Sequence, residues 1–373
     1  MAKIVDISLA AVVQEKPEYS WSPLMPEVLN TDTLVRVRDA DGYEGFSSVC
    51  TFTEYGPDHS VVEGMRSLCL GLLKAGDLSA EEHWTWMQGR RPGVSDVAIA
   101  GLDIALWDLA ARRAGQPLHR LLGGTRDAIP VYASMPIMDG PDDYIAMITD
   151  LAGQGIRGFK FHYKSVPDID AALIEAVAAA FSGQGLEFMF DAEGQYDAPG
   201  AAKVAKLMAE HGFVWLEAPF DDHDWAAYLA LKDSVDLDII PAGNSVVAES
   251  HLDRAIEAGC WSALRLDTAT ASGITPVRRI FEKARAAGLN LELQSWGSSI
   301  STAANLQLAL AFENSSTFEV PVPRSDFAVP GCSAFEIIDG TVAAPTKPGL
   351  GLEVDWEQVK KASSLVRKYS LTP

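Results

Sequence analysis

The sequence predicts an α/β protein, with a closed parallel barrel of eight strands and a smaller α+β segment before it. From Ile129 onward, short apolar runs alternate with helical stretches, which is typical of parallel strands joined by crossover helices. Eight strand candidates fit a closed barrel better than an open doubly wound sheet, and no GxGxxG motif follows a first strand. The 373 residues also exceed what a single small core organises, so a second domain is expected.

The opening segment combines strand and helix patterns. Residues 3–12 alternate between apolar and polar, and residues 33–38 lead into a hairpin turn signal at 39–43. The apolar spacing then becomes helical over residues 60–73 and 96–114, and Gly115 and Pro117 end the second stretch. The sequence therefore predicts a small sheet with helices.

The barrel strands are predicted as eight short apolar runs. They are residues 130–134, 158–162, 187–191, 214–217, 239–242, 263–267, 290–294 and 317–320. Helices are predicted between them, for example over residues 170–181 and 201–211. Residues 340–354 are rich in Gly and Pro and are predicted to leave the barrel.

Composition and charge exclude several classes of function. Asp and Glu outnumber Lys and Arg by 51 to 30, and the formal charge of -21 makes nucleic acid a poor partner. The four cysteines form no CxxC or disulfide pattern, which indicates reduced thiols. Without a signal-peptide core or a long apolar stretch, the chain is expected to be cytoplasmic and not to span a membrane.

Three apolar runs each end in a polar residue, and these residues are spaced at regular intervals: Asp191, Glu217 and Asn244. The intervals of 26 and 27 residues match one strand, one helix and two loops of a barrel. A barrel would bring the three side chains together at its C-terminal rim. Two carboxylates and an amide oxygen are donors that suit Mg²⁺, so a magnesium site is predicted there.

Other strand ends supply further candidates for the site. Alternation places Lys160, His162 and Lys164 on one face of the second strand. A lysine inside a barrel needs an anionic partner, so Lys160 is either a site residue or part of a structural ion pair. For Lys164, a solvated position in a loop is favoured over substrate binding. The last three strands offer three more polar side chains to the rim: Asp267, Gln294 and Glu319. Such a site could hold a carboxylic acid on a metal, remove the adjacent proton and stabilise the enediolate.

The motifs resemble those of a known family. The run AGLDIALWDL at residues 100–109 is followed by GQPL at 115–118 and LLGG at 121–124. Further matches are Lys160, Asp191, Glu217-Ala218-Pro219, Asp267, Gly273-Ile274-Thr275, Glu319 and Lys347-Pro348-Gly349-Leu350-Gly351. Together they resemble the enolase superfamily, in its mandelate racemase and muconate lactonizing branch.

The resemblance implies a modified TIM barrel, (β/α)7β, with an α+β capping domain. The expected boundaries are 1–125 for the cap, 126–330 for the barrel, and 331–373 for a segment that returns to the cap. Cap loops at 19–25 and 51–55 would close over the substrate, with Trp21 and Tyr55 as substrate-binding residues. Members of this branch commonly assemble, so a homodimer or homo-octamer is expected.

The chain departs from the family pattern at several site positions. His162 replaces the lysine that acts as the base; it could accept the proton itself or only hydrogen-bond a neighbour. Gln294 replaces the histidine that Asp267 would orient, and glutamine cannot carry a proton at neutral pH. Asn244 replaces an acidic metal ligand, while Glu193 adds a carboxylate as a possible further ligand.

The leading hypothesis is a Mg²⁺-dependent dehydratase that removes the α-proton of a hydroxylated carboxylate such as an acid sugar. Lys160 would hold the carboxylate, His162 would be the base, and Glu319 would assist carboxylate binding. The alternative within the same chemistry is a cycloisomerase, or an epimerase in which Lys164 replaces the missing histidine. A third hypothesis is a member that has lost catalysis and binds a ligand.

Overall fold

The computed structural model describes residues 2–14, 20–24, 28–53, 56–90 and 93–371. Its strands are β1 (Ile4–Val13), β2 (Leu29–Asp39), β3 (Glu44–Thr53), β4 (Ala128–Ser134), β5 (Gly158–His162), β6 (Glu187–Asp191), β7 (Trp215–Glu217), β8 (Asp238–Ile240), β9 (Leu264–Leu266), β10 (Leu291–Leu293), β11 (Phe318–Pro321), β12 (Ile337–Ile338), β13 (Thr341–Ala343) and β14 (Leu365–Ser370). Its helices are α1 (Ser60–Gly64), α2 (Arg66–Leu72), α3 (Ala80–Gln88), α4 (Asp96–Ala114), α5 (Leu118–Leu121), α6 (Pro141–Gly153), α7 (Pro167–Ala180), α8 (Ala198–Glu210), α9 (Trp225–Lys232), α10 (Glu249–Ala258), α11 (Ile274–Ala286), α12 (Ala303–Ala311) and α13 (Trp356–Ala362), with a 3₁₀ turn at Arg324–Phe327.

The three strands of the opening segment and the late strand β14 form an antiparallel sheet in the order β14-β1-β2-β3, with helices packed against it. Helix α4 has the predicted bounds because local signals mark both ends. The Ser95 hydroxyl accepts a hydrogen bond from the N–H of Ala98, and Gly115 ends the helix in the left-handed conformation with φ 69°. The predicted helix over residues 60–73 is instead two short helices, α1 and α2, which meet at Met65.

One buried carboxylate joins this segment to the strand-and-helix region. Asp103 on α4 accepts hydrogen bonds from the N–H and hydroxyl of Thr275 at 2.9 and 2.7 Å, at the start of α11. A Cβ on neighbouring Gly273 would lie 2.4 Å from an Asp103 oxygen, and Gly273 has φ +110°. The close approach of the two segments therefore requires glycine at this position.

Eight parallel strands form the barrel that the sequence predicts. Ladders join β4 through β8 in order, β9 pairs with β10, and β11 pairs with β4, which brings the last strand back to the first. A hydrogen bond of 2.9 Å from the N–H of Ser262 to the carbonyl of Ile239 links β8 to the start of β9. The N–H of Ser295, after β10, donates to Glu319 on β11 at 2.9 Å. The predicted α/β fold class is confirmed, and every barrel strand lies within two residues of its predicted bounds.

The chain after the barrel follows two paths. Strand β13 pairs antiparallel with the start of β4, and Val342 on it is buried, so residues 341–343 stay beside the barrel. The prediction that residues 340–354 leave the barrel is wrong for this strand, because the start of β4 offers it a free edge. Strand β14 reaches the first sheet and pairs with β1. The domain boundaries expected above stay a prediction. Of the helices described, none has the length and apolar character needed to cross a membrane.

Candidate active site at the carboxyl ends of the barrel strands

A cavity of about 530 Å³ opens where the barrel strands end. Ten of the predicted site residues line it: Trp21, Lys160, His162, Asp191, Glu193, Glu217, Asn244, Asp267, Gln294 and Glu319. Parallel strands deliver their C-terminal side chains to the same rim, so residues far apart in sequence meet there. These ten predicted site residues therefore converge on one cavity.

Two cations and two carboxylates form a buried network on one side of this cavity. The Lys160 ammonium lies 2.9 Å from both Glu217 and Glu319. Arg265 donates from Nε to Glu217 at 2.6 Å and from Nη2 to Glu319 at 2.8 Å. Burial lowers the pKa of Lys160, but the charges of Glu217 and Glu319 outweigh burial and raise it overall. Lys160 is therefore held as a cation, in the buried ion pair that was one of its two predicted roles.

Arg265 is a site residue that the sequence interpretation missed. It is only 1% exposed, and it also donates to the hydroxyl of Tyr132 at 3.2 Å. Alternation along β9 places Arg265 on the same face as Asp267, which points into the barrel. This alternation along β9 was the sequence signal that could have identified Arg265, since a buried arginine inside a barrel requires anionic partners.

His162 is oriented by the backbone of the neighbouring strand segment. Its Nδ1 lies 2.8 Å from the carbonyl oxygen of Met135, which can only accept, so Nδ1 carries the hydrogen. Nε2 then faces the acids, 3.4 Å from Asp191 and 3.9 Å from Glu193. Burial lowers the pKa of His162, but its hydrogen bond to Asp191 and the charge of Asp191 raise it overall. An imidazole fixed in this way can accept a proton or bind a cation through Nε2.

Asp191 and Glu193 supply two anionic donors beside this histidine. One ligand atom from each of His162, Asp191 and Glu193 lies within 4.8 Å of the others, a spacing that suits a single divalent cation. Burial and the charge of Asp191 raise the pKa of Glu193 to about 7, so a cation would be needed to keep both groups ionised at neutral pH. Glu217 differs, because both of its oxygens already accept hydrogen bonds from Lys160 and Arg265. Among the described residues, His162, Asp191 and Glu193 are the compact donor set, and the role of Glu217 as a metal ligand stays a prediction.

The loop that carries Asn244 is held by its backbone. Asp222 accepts hydrogen bonds from the N–H groups of Ala242 and Gly243 at 2.8 and 3.2 Å. Gly243 has φ +75°, and a Cβ there would lie 2.3 Å from the carbonyl oxygen of Arg265. Asn244 is exposed and lines the cavity, so its amide is available to a ligand. Asp222 is a second positioning residue that the sequence interpretation missed.

Asp267 lies at the end of β9, next to the position where the family histidine is absent. Its Oδ1 accepts from the N–H of Ala269 and from Nδ2 of Asn305, both at 3.0 Å, and from the hydroxyl of Thr268 at 3.4 Å. Burial raises the pKa of Asp267, and these hydrogen bonds lower it only partly. Gln294 lines the same part of the cavity on the neighbouring strand.

Aromatic side chains line part of the cavity. Trp21 packs edge-on against Trp296 and Phe327, with ring centroids 5.1 and 5.4 Å apart. Its indole N–H donates to the carbonyl of Ser134 at 3.2 Å, and Phe52 contacts Trp296 with centroids 4.5 Å apart. The cap loop residue Trp21 is thus at the cavity as predicted, and Trp296 joins it.

Sequence-family models cover most of the chain. Residues 27–123 match the mandelate racemase/muconate lactonizing enzyme N-terminal domain, and residues 143–359 match the enolase C-terminal domain-like family. The chain belongs to the mandelate racemase and muconate lactonizing branch of the enolase superfamily.

Relatives in this superfamily carry out several reactions. The chain is 32% identical over 246 residues to a hydrophobic dipeptide epimerase of Roseobacter litoralis, covering 63% of this chain and 68% of that protein. It is 29% identical over 286 residues to a D-galactonate dehydratase of Xanthomonas axonopodis pv. citri, covering 71% and 73%. The homologues are therefore superfamily enzymes that include dehydratases and an epimerase.

Solved structures agree with the superfamily fold over the whole chain. A Pseudovibrio sp. protein assigned to the mandelate racemase/muconate lactonizing enzymes superposes with a TM-score of 0.94 at 35% identity, covering 99% of both chains. An L-talarate dehydratase from Polaromonas sp. JS666, complexed with Mg and L-glucarate, gives a TM-score of 0.82 at 25% identity, again covering 99% of both chains.

One predicted substrate-binding residue, Lys164, is not among the residues that line the cavity. Lys164 is exposed, and its ammonium lies 5.1 Å from the ring centroid of Tyr163, outside the residues that line the cavity. Strand β5 ends at His162 and Ser165 has φ 54°, so the strand alternation that placed Lys164 beside Lys160 no longer holds there. Tyr55 lies outside the described residues.

Proposed function

We propose that the protein is a Mg²⁺-dependent dehydratase that removes the α-proton of a hydroxylated carboxylate, such as an acid sugar, and forms a 2-keto acid. The observation that carries this proposal is the Nε2 of His162, which faces a cavity lined by carboxylates at the carboxyl ends of the barrel strands. Relatives named as D-galactonate and L-talarate/galactarate dehydratases support this reaction class.

Asp191 and Glu193 would hold the cation, and Asn244 would serve as a neutral third donor. Glu217 stays a further candidate ligand, because each of its oxygens accepts one hydrogen bond, from Lys160 or Arg265, and keeps a second lone pair for the cation. Bound Mg²⁺ supplies a Lewis acid that stabilises the negative charge that develops on the substrate carboxylate. The Mg present in the Polaromonas L-talarate dehydratase complex supports this choice of cation.

The chain's own residues account for the proton step. His162 accepts the α-proton at Nε2, while the Met135 carbonyl keeps the other ring nitrogen protonated. Lys160 lines the cavity with three N–H donors, two of which meet Glu217 and Glu319. The third lies on the side of Asp191 Oδ2, 3.7 Å from Nζ and beyond hydrogen-bond distance, and would be taken by the substrate carboxylate. Glu319 therefore assists carboxylate binding indirectly, by holding Lys160.

The test combines a substrate panel with isotope exchange. Purified protein with Mg²⁺ is incubated with acid sugars, lactones and dipeptides in D₂O, and NMR follows α-proton exchange and 2-keto acid formation. His162→Asn is expected to lose both by at least ~100-fold, since a general base contributes about that much or more. His211→Asn, which changes an exposed histidine away from the cavity, is the matched control and should behave as wild type.

The same variant tests whether His162 is a base or a ligand. If His162 is a base that only contacts the ligand Asp191, its loss should lower Mg²⁺ affinity, measured by calorimetry, by no more than about 100-fold, the usual upper cost of removing a neighbour of a metal ligand. A loss of more than about 100-fold would move His162 into the coordination set and refute its role as the base. Full turnover by His162→Asn would refute the base role as well.

An epimerase is the second candidate, and one specific observation favours it. The aromatic wall of Trp21, Trp296 and Phe52 offers an apolar surface that would suit a substrate with an apolar side chain. The relative named as a hydrophobic dipeptide epimerase agrees with such a surface. Inversion at the α-carbon without loss of water in the D₂O experiment would support epimerisation over dehydration.

A further inference from the structure

The barrel places two proton-carrying side chains on opposite sides of the cavity. His162 ends β5, and Asp267 directly follows β9. In a ring of eight strands, β5 and β9 are four strands apart in either direction, so their C-terminal ends face each other across the barrel axis. Both side chains line the same cavity. A substrate bound between them would present one face to each.

The hydrogen bonds of Asp267 leave one of its oxygens free. The donors from Thr268, Ala269 and Asn305 all reach Oδ1, and no donor on a described residue reaches Oδ2. Asn305 also donates to the carbonyl of Gln294 at 2.7 Å. This second hydrogen bond fixes the Asn305 amide, and therefore the plane of the Asp267 carboxyl group that the amide contacts. Asp267 is thus a rigidly held carboxyl group with one unpaired oxygen.

The neighbouring strand does not supply a histidine for Asp267 to orient. Gln294 stands at that position, and its amide can neither take nor give a proton. Burial raises the pKa of the Asp267 carboxyl, and the nearby charge of Glu319 acts in the same direction. The carboxyl group therefore keeps its proton to a higher pH than a solvated aspartate.

We propose that Asp267, through Oδ2, is the catalytic acid on the face of the substrate opposite His162. This inference rests on the proposed dehydration and adds the group that makes the leaving hydroxyl into water. This role would also explain how the protein could be active with Gln294 in place of the family histidine. The Asp267 carboxyl group lines the cavity and would act on the substrate directly instead of through an imidazole.

The step balances with these two residues alone. His162 Nε2 takes the α-proton, and the C–H electron pair enters the enediolate. That pair then forms the double bond between the α- and β-carbons, while the C–O bond to the β-hydroxyl breaks and Asp267 gives its proton to the departing oxygen. The resulting enol becomes the 2-keto acid when the β-carbon takes the proton from His162 and the enol O–H returns a proton to Asp267. Because the two residues face each other, proton and hydroxyl leave from opposite faces of the substrate.

The test measures removal of the α-proton and loss of the β-hydroxyl separately in the variant Asp267→Asn. We expect α-proton exchange in D₂O to stay within about threefold of wild type, because His162 is unchanged. Formation of 2-keto acid should fall by at least ~100-fold, the usual contribution of a general acid. Asp170→Asn is the matched control: Asp170 is a buried carboxyl group with a raised pKa, bonded to Tyr196 and lying outside the cavity lining, and its variant should keep both rates.

A substrate with a better leaving group gives a second readout. With the β-fluoro analogue, fluoride leaves without a proton, so Asp267→Asn should eliminate it at a rate within about tenfold of wild type. Equal loss of exchange and of both eliminations would show that Asp267 only supports the structure, and would overturn the proposal. Wild-type rates of 2-keto acid formation by the variant would overturn it as well. If wild-type protein itself shows neither exchange nor product across the panel, the proposed dehydration fails and this inference fails with it.

Discussion

Replacing Arg265 with methionine tests the buried ion network directly. Arg265 donates to Glu217, Glu319 and Tyr132, and it is 1% exposed. The variant keeps the bulk of the side chain but leaves two buried carboxylates with Lys160 as their one close cation. Removing one partner from a buried ion pair costs about 3–5 kcal/mol, because the remaining charge is desolvated and unpaired.

The expected shift in unfolding temperature follows from the size of the chain. An entropy of unfolding of about 2.1 cal/mol/K per residue gives roughly 0.8 kcal/mol/K for this length, so the midpoint should fall by about 4–6 °C. Calorimetry or circular dichroism on purified protein measures this shift.

A surface arginine with a similar ion pair is the control for Arg265→Met. Arg367 lies 2.6 Å from Glu63, and the two side chains are 43% and 48% exposed. Exposed pairs contribute about 0–1 kcal/mol, so Arg367→Met should lower the midpoint by no more than about 1 °C. If Arg265→Met unfolds at the same temperature as Arg367→Met, the assignment of Arg265 as the partner of two buried carboxylates is wrong.

Three further predictions concern the cation, pH and the backbone. Glu193→Gln should weaken Mg²⁺ binding in calorimetry by at least about tenfold because it removes an anionic donor, whereas Asn244→Ala should weaken it less; equal losses would contradict this ranking. Burial raises the pKa of Asp103 to about 7 from 3.8, so the stability that neutral Asp103 contributes is complete below pH 3.8 and is lost as pH rises through about 7. Asp103→Asn should therefore gain stability relative to wild type across that window, by at most ~1.4 kcal/mol per pH unit, and thermal midpoints measured in a buffer series check this. Gly243→Ala should lose about 2–4 kcal/mol in denaturant unfolding, since φ is +75° and the new Cβ lies 2.3 Å from a backbone oxygen; a loss below 1 kcal/mol would show that the loop adapts.

The fold could be predicted from local patterns because the barrel repeats one pattern. Each strand is a short apolar run followed by a polar residue, and strands such as β5 and β6 match their predicted bounds at both ends. Helix α4 was predictable for a different reason, since Ser95 and Gly115 mark its ends chemically. Helices α1 and α2 were predicted as one because apolar spacing carries no signal for the break at Met65.

The candidate site was predictable as a set of positions but not as a set of contacts. Strand ends identified Asp191, Glu217 and His162 because parallel strands share one rim. Which carboxylate pairs with which cation depends on residues more than 40 positions apart in the sequence. Arg265 donates hydrogen bonds to both Glu217 and Glu319. The prediction of Glu217 as a metal ligand followed the strand spacing and the family motif, which contain no information on such contacts, and it stays a prediction.

The pairing of β14 with β1 has a consequence for how the molecule forms. Asp6 and Ser370 are register partners, so the first sheet needs one strand from each end of the described chain. During synthesis on the ribosome, the β1 edge stays open until residues 365–370 emerge, after every barrel strand has left the exit tunnel. Contacts of such long sequence separation slow folding, and an unpaired edge strand invites association with other chains in the meantime. Nascent chains that stop short of Leu365 should therefore depend on chaperones more than the finished protein does.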